Sequence, residues 1–471
     1  MQCPGCMPSL VVVVLVAGAV AALVTGVGAV VARRGRARRR AVCPDPARHA
    51  AKVARIAGAL RERRGTAPLS LRKRSVSHMV PKPRDRRYRD DKLDLRELNE
   101  LLVIDPERRI CVAEPGVTFV DLVAATLRHG LVPEVVPELK TITIGGAVAG
   151  CSIESSSFRV GGFHDTCLEY EVVTATGEVL VCTPDNEHQL VFQMMHGTFG
   201  TLGVLVRLTF RLAPARPFVH VTYQRFTRLD DYLAAITSHA ERRDADFMDG
   251  IIHAPDDLVL SLGRFVDRAP YTHRYDRLAV YYRSTRARRE DWLATADYFF
   301  RYDRGVTNVN PLLGSSLVLR LGQWLHRLLR AERPTVTLDV FVPLSRARAF
   351  LAWYRAEVGH FPLWCVPYRR VRDYEWIAPG FFAGLDDTLF LDLAIYGMRQ
   401  RDDRNVYRLI EEELARVGGL KTLISHNYYS ADEFWAIWNK ANYDAVKRRT
   451  DPHNIFRDLH TKTCRATRGL T

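Results

Sequence analysis

The sequence holds no pair of Cys/His clusters at zinc-ligand spacing and no HExxH, so neither a structural zinc site nor a metallopeptidase centre is expected, and no metal. Its nine cysteines (Cys3, Cys6, Cys43, Cys111, Cys151, Cys167, Cys182, Cys365, Cys464) are odd in number and scattered. That pattern makes no disulfide framework and fits a reducing compartment. A Rossmann fingerprint is missing as well. The stretch Gly197-Thr-Phe-Gly200-Thr-Leu-Gly203 repeats glycine every third residue and stands before a strand, not after one. No internal repeat is evident. With 47% hydrophobic and 26% charged residues, the composition is that of a globular protein and excludes widespread disorder.

Net charge is also absent from most of the chain. The total is +15, but residues 33–92 alone hold 21 Lys/Arg against five acids (Asp45, Glu62, Asp85, Asp90, Asp91). The remainder is close to neutral. No nucleic-acid recognition motif accompanies the basic stretch, so no nucleic-acid partner is expected. What precedes it explains it better. Ser9 to Ala32 is 24 residues without a charge. As a helix at ~1.5 Å per residue this run is about 36 Å long, enough to cross a bilayer core. Nothing basic precedes it, and Arg33, Arg34, Arg36, Arg38, Arg39 and Arg40 follow it, the reverse of a cleaved signal peptide. Residues 1–40 therefore read as one transmembrane anchor with its arginine cluster, leaving the body of the chain on the cytoplasmic side of the membrane.

Past the anchor, an Ala/Arg-rich amphipathic helix is expected over 44–64, then a strand and turn through Pro68–Val80 and an exposed basic loop over 81–92. Short strands Leu101–Ile104 and Ile110–Ala113 flank the turn at Asp105-Pro106. Thr118 caps a helix with Asp121 in its first turn, and Gly130 closes it. Leu168–Cys182 reads as a hairpin around Thr176-Gly177, and Thr183-Pro184 as the start of a helix reaching His196-Gly197. A strand follows over Val204–Leu212, and the Pro-containing segment 213–217 marks a boundary. Ser430 with Glu433 forms a capping box for a helix running to about Arg448, on which Tyr443 and Lys447 share a face.

The centre of this arrangement is Thr141 to Gly162, TITIGGAVAGCSIESSSFRVGG, which has no charged side chain before Glu154. Gly145, Gly146 and Gly150 let a ligand approach the backbone, and a run of small residues offers N–H groups to the phosphates of a nucleotide. A tight loop between buried strands is the alternative, but about twenty residues exceed one turn. The stretch reads as a cofactor-binding wall.

That wall, the hairpin after it, the GTFGTLG loop and the tail Tyr443…Lys447…Asp451-Pro452…Asn454 together resemble the vanillyl-alcohol-oxidase type of FAD enzyme. Within it, VPELKTITIGGAVAGCSIESSS and GGFHDTCLEYEVVTATGEVLVCTP are similar to the sterol Δ24-reductases, which also carry one N-terminal anchor. The resemblance implies an α+β protein: a two-part PCMH-type FAD-binding domain (41–215, closed by 426–471) with an inserted α/β substrate domain (216–425), preceded by the transmembrane helix. It implies that FAD is held by Thr143, Ile144, Gly145, Gly146, Ala147, Val148, Ala149, Gly150, Cys151, Ser152, Ile153, Glu154 and Ser155. Ser75 and Ser77 would stand in the first phosphate-contacting loop. Gly200, Thr201, Gly203, Val204, Tyr443, Lys447 and Asn454 complete the expected binding set. Many relatives bond the flavin to a histidine in this region, for which His78 is the nearest, but the reductase-like members lack that link, so non-covalent FAD is expected.

A flavin of the reductase type takes hydride from NADPH or NADH and passes it to a carbon–carbon double bond, while a protein group supplies the proton. A lipid substrate suits a membrane-tethered body. Tyr428 is the expected proton donor, with His426, Glu154 and His164 as the other candidates. The alkene could be a sterol or isoprenoid side chain or a methylene branch on a fatty acyl chain. An oxidase acting with O₂ on an alcohol or sugar lactone, and a membrane-bound interaction protein, are the remaining readings.

Overall fold

The computed structural model describes residues 45–470 apart from 66, 76, 81, 83–85, 274–280, 304–334 and 401–402. The expected anchor lies outside the described residues. Among those described, no helix is long and apolar enough to cross a membrane.

Two large sheets follow one another along the chain. The first half contributes β1 (Leu69–Arg72), β2 (Asp91–Asp94), β3 (Leu101–Asp105), β4 (Ile110–Ala113), β5 (Leu131–Pro133), β6 (Cys167–Val173), β7 (Val179–Cys182) and β8 (Val204–Pro214). β1 and β2 form a small parallel pair. Part of the stretch expected as exposed basic loop is therefore strand, because Asp91–Asp94 pairs with Leu69–Arg72. The others make an antiparallel sheet in the order β3-β4-β8-β6-β7, with β5 on the end of β8. The helix Pro46–Arg61, capped by the Asp45 side chain on the N–H groups of Ala47 and Arg48, covers one side of it with Val53, Ile56, Ala57 and Leu60. Phe119–Thr126, capped by Thr118, and the short helix Ile144–Ala149, capped by Thr143, pack on the other.

The second half contributes β9 (Phe218–Phe226), β10 (Phe247–Ala254), β11 (Asp257–Val266), β12 (Glu290–Ala294), β13 (Val336–Pro343), β14 (Leu363–Arg369), β15 (Leu389–Met398) and β16 (Leu420–Lys421). They form one sheet in the order β12-β9-β11-β10-β14-β15-β13-β16, and every pairing in it is antiparallel. Among the described residues, the expected α/β alternation is thus an antiparallel sheet with its three longest helices on one face. Period-two patterning decides the faces. Met248, Leu260, Leu338, Val340, Leu391 and Leu393 turn outward onto the helices Leu229–Arg242, Ala347–Glu357 and Val406–Val417. Their neighbours Phe247, Ile251, Phe341, Tyr368 and Phe390 turn inward onto the first half.

Two helices depart from the sequence reading, each for a local reason. The Asn186 side chain accepts the N–H groups of Thr183 and His188, a local turn that competes with helix, so the helix begins only at Gln189 and runs to Met194. The helix opened by the Ser430–Glu433 capping box stops at Ile437. Trp438 extends to pair with Ile377, and Asn439 caps a second helix, Lys440–Thr450.

Candidate active site

A pocket partly open to solvent lies between the glycine-rich wall and the inner face of the second sheet. Gly150, Cys151 and Ile153 line it from the wall, Phe341 and Phe390 from the sheet, and Trp438 from the break between the two C-terminal helices. Tyr368, Tyr374, Trp376, Lys421 and Thr422 complete most of its surface. The lining is aromatic and aliphatic with a few polar groups, the make-up of a site for a large apolar ligand.

The polar groups are tied together. Tyr368 and Tyr374 share a hydrogen bond, Tyr374 donates to Asp165 Oδ2 at 3.0 Å, and Arg372 donates to Asp165 Oδ1 at 3.0 Å. His164 also lines the cavity, with Nε2 3.3 Å from Asp165 Oδ2 but without hydrogen-bond geometry. Burial lowers its pKa, so it carries no extra proton at neutral pH and is a poor acid there. Lys421 Nζ binds Glu411 Oε1 and the His426 carbonyl, each at 2.6 Å.

The wall divides its labour. Ile144, Ala147 and Val148 point into the core. A Cβ on Gly145 would stand 2.5 Å from Pro115 Cβ, so that glycine answers to packing. The N–H groups of Ile144, Gly145, Gly146 and Ala147 are all taken, by Val117 O, Pro115 O, Thr143 Oγ1 and Thr143 O. The helix start therefore does not present the open N–H groups expected of it. A Cβ on Gly146 would instead look toward Lys73 Nζ, at 3.6 Å. Ala149 O accepts from Phe199 N, Ser152 O from Phe163 N, and Ser155 O from Met248 N, which docks the wall to its surroundings. Glu154 is buried, with no donor to either carboxyl oxygen.

Lys73 is the wall's most telling neighbour, and sequence reasoning passed over it in favour of the serines beside it. Its side chain is exposed, yet it stands so deep in the protein body that desolvation lowers its pKa. It has no ion pair among the described residues. Ser75 donates to Thr141 O at 2.5 Å, Ser77 accepts from Met79 N, and His78 Nε2 lies 3.1 Å from Thr141 Oγ1. Burial, and after it the charge of Lys73, lowers the His78 pKa to about 4. An unpaired ammonium opposite a glycine, beside a deep apolar cavity, fits the diphosphate and ring system of FAD.

The remaining expected residues lie elsewhere. Tyr443 and Lys447 spend their polar groups on Thr201, and Lys447 also on Asp451 and Phe456 O, so they fix the Gly200–Gly203 loop. Val204 is core, and Asn454 sits on an exposed turn at φ 50°. His426 is fully buried beside Tyr407, and Tyr428 packs on the outer helix layer. Neither lines the cavity. Tyr374, Trp376 and Trp438 were not singled out from sequence, because no periodicity or motif marks them.

Residues 78–183 match the family described as FAD binding domain, so the chain carries that domain, with mixed helix and strand content. Human Delta(24)-sterol reductase is 25% identical over 405 residues, covering 79% of this chain and 77% of that protein. The Delta(24)-sterol reductase of Arabidopsis thaliana is 24% identical over 437 residues, covering 80% and 77%. Cytokinin dehydrogenase 6 of Oryza sativa is 27% identical over 262 residues, about half of each chain. The chain is an FAD-dependent oxidoreductase, and it resembles the sterol reductases over most of its length.

Proposed function

We propose that the protein reduces a carbon–carbon double bond in a lipid, with NADPH or NADH as the electron source. The observation that carries this reading is the largely apolar pocket set directly against the wall at Gly150, Cys151 and Ile153. A sterol or a comparably bulky isoprenoid matches its aromatic lining, and the relatives named Delta(24)-sterol reductase point the same way. FAD, bound non-covalently, supplies the hydride chemistry. Lys73 and the Gly146 face would hold its phosphates, and Cys151 and Ile153 would flank the ring. The aromatic walls orient the alkene and keep water from the reacting carbons. The apolar run Ser9–Ala32 supports anchoring of the catalytic body at the cytoplasmic face of a membrane, where such a lipid is found.

The test is anaerobic. Purified protein, yellow from its flavin, is mixed with NADPH or NADH and should bleach. A C24-unsaturated sterol should then restore the colour faster than its saturated counterpart or O₂ does. Bleaching followed by reoxidation with O₂ alone would defeat the proposal in favour of an oxidase.

A further inference from the structure

Where the glycine-rich wall ends at Gly161 and Gly162, a carboxylate is built in behind the lining of the pocket. Asp165 Oδ2 accepts the Gly162 N–H at 2.9 Å and the Tyr374 hydroxyl at 3.0 Å, and Oδ1 accepts Arg372 at 3.0 Å. A Cβ on Gly161 would run into Oδ2, so that glycine makes room for the carboxylate. Tyr374 in turn shares a hydrogen bond with Tyr368. Both tyrosines line the pocket. A chain of three oxygen-bearing side chains thus runs from the end of the wall to the place where a ligand sits.

Counting hydrogens fixes the direction of this chain. Arg372 and a backbone N–H can only donate, so Asp165 meets both as an acceptor, and the Tyr374 proton is the third that it receives. A tyrosine has one hydroxyl proton. With that of Tyr374 spent on Asp165, the bond between the two tyrosines uses the proton of Tyr368. Burial above all holds both phenols well above their usual range, so neither proton is lost at neutral pH. The Tyr368 oxygen, at the pocket end, then has a lone pair left and no proton to give. Among the described residues its hydroxyl has no other hydrogen-bond partner than Tyr374. The cationic side chains of the lining are committed elsewhere, Lys421 to Glu411 and Arg370 to Asp373.

We infer that Tyr368 is the acceptor for a hydroxyl on the lipid, and that the fixed direction of the Tyr368–Tyr374–Asp165 chain makes the protein select a lipid alcohol over the matching ketone or ester. The inference rests on the lipid reading above and deepens it. It separates a sterol or isoprenoid alcohol from a fatty acyl ester, whose oxygens only accept. A carbonyl placed against the Tyr368 oxygen would leave two acceptors facing each other in an apolar pocket, each without a hydrogen. A site built to bond one polar group rejects an analogue that lacks it. Tyr368 touches the ligand in this arrangement, while Tyr374 and Asp165 act through it by holding its proton away.

The test is binding to the oxidised, flavin-loaded protein without nicotinamide, so that reduction plays no part. Tryptophan fluorescence, with Trp376 and Trp438 in the lining, reads the affinity for a C24-unsaturated sterol with a free hydroxyl and for the matching ketone. Wild type should prefer the alcohol by about 10-fold or more. Tyr368→Phe and Tyr374→Phe each keep the ring that lines the pocket. Tyr368→Phe should lose the preference because the alcohol binds more weakly, with FAD bound as tightly as in wild type. Tyr374→Phe frees the Tyr368 proton, so it should lose the preference in the opposite way, because the ketone binds more tightly. A merely structural role would weaken both sterols together in each variant. If Tyr374→Phe folds poorly, Tyr368→Phe decides alone. Equal binding of the two sterols to wild type, or a preference that survives in Tyr368→Phe, overturns the inference. So does a Tyr368→Phe protein that loses FAD, which would give the Tyr368 oxygen to an N–H of the flavin instead. An alcohol preference that depends on Tyr368, in a protein whose flavin no alkene reoxidises, would sustain the inference and end the reduction reading.

Discussion

Tyr443 donates its hydroxyl to Thr201 Oγ1 at 2.9 Å, joining residues 242 apart in sequence, and the Tyr443 hydroxyl oxygen accepts the Leu459 N–H at 2.9 Å. Lys447, one turn further along the helix Lys440–Thr450, reaches the Thr201 carbonyl at 2.8 Å. The C-terminal segment thus clamps the glycine loop that docks on the wall through Phe199. Tyr443→Phe keeps the ring but leaves buried partners unpaired. Urea unfolding should show a loss of about 1–3 kcal/mol, with flavin content little changed. An unaltered midpoint would mean that water replaces the lost hydroxyl.

Neighbouring glycines of the wall should fail differently. A methyl group on Gly145 runs into Pro115, so Gly145→Ala should destabilise the fold, by about 1–3 kcal/mol for an overpacked site. Gly146 faces only Thr143 Oγ1 at 3.2 Å and Lys73 at 3.6 Å, so Gly146→Leu should fold while losing FAD. Circular dichroism and flavin absorbance read the two effects separately. Full flavin occupancy in Gly146→Leu would move the phosphate site elsewhere.

Lys73 carries a charge that the cofactor-free fold does not compensate. Its lowered pKa means that the protonated form costs stability at every pH below the ordinary lysine range. Lys73→Met should therefore leave the flavin-free protein as stable as wild type or more so. It should also weaken FAD binding by about 10- to 100-fold, the worth of one charge-assisted hydrogen bond. Unchanged FAD affinity would remove Lys73 from the site.

How much of this was legible in the sequence depends on how local each signal is. Alternation located most strands, Thr118 and the Ser430–Glu433 box located helix starts, and the small-residue run marked the wall. The Pro-containing segment 213–217 falls between β8 and β9. The antiparallel order of the second sheet was not legible, since strand order is set by pairings between distant segments. The cavity was illegible for the same reason. It joins Cys151, Tyr374 and Trp438, and Trp438 reaches it only because the helix breaks there to pair with Ile377.

His49 should make stability depend on pH. Burial opposes its charge, but hydrogen bonds to Glu114 at 2.9 Å and Glu171 at 3.3 Å outweigh it and raise the pKa to about 9. A raised folded pKa gives stability that is complete below the unfolded histidine value, about 6.5, and is lost as pH rises through 9. Between those limits wild type should lose about 1–2 kcal/mol relative to His49→Gln, allowing for solvent screening. Parallel unfolding curves for the two proteins across that window would show that His49 is neutral in the fold.

Tyr428, the proton donor expected from sequence, stands away from the cavity. Its backbone is what the fold uses: the N–H donates to Glu411 Oε1 at 2.9 Å and the carbonyl accepts from Arg468 at 2.7 Å. Its ring lies 6.1 Å from that of Tyr407, in the helix layer on the far side of the second sheet, and it does not line the cavity. Burial and then the charge of Glu411 raise its pKa, so the phenol keeps its proton. Tyr428→Phe preserves both backbone bonds and the packing, so flavin content, bleaching by nicotinamide and reoxidation by the alkene should all stay near wild type. Stopped-flow reoxidation of the pre-reduced variant measures this directly. A slowing of about 10² with flavin content intact would instead make Tyr428 the acid, reached by a rearrangement of the helix layer.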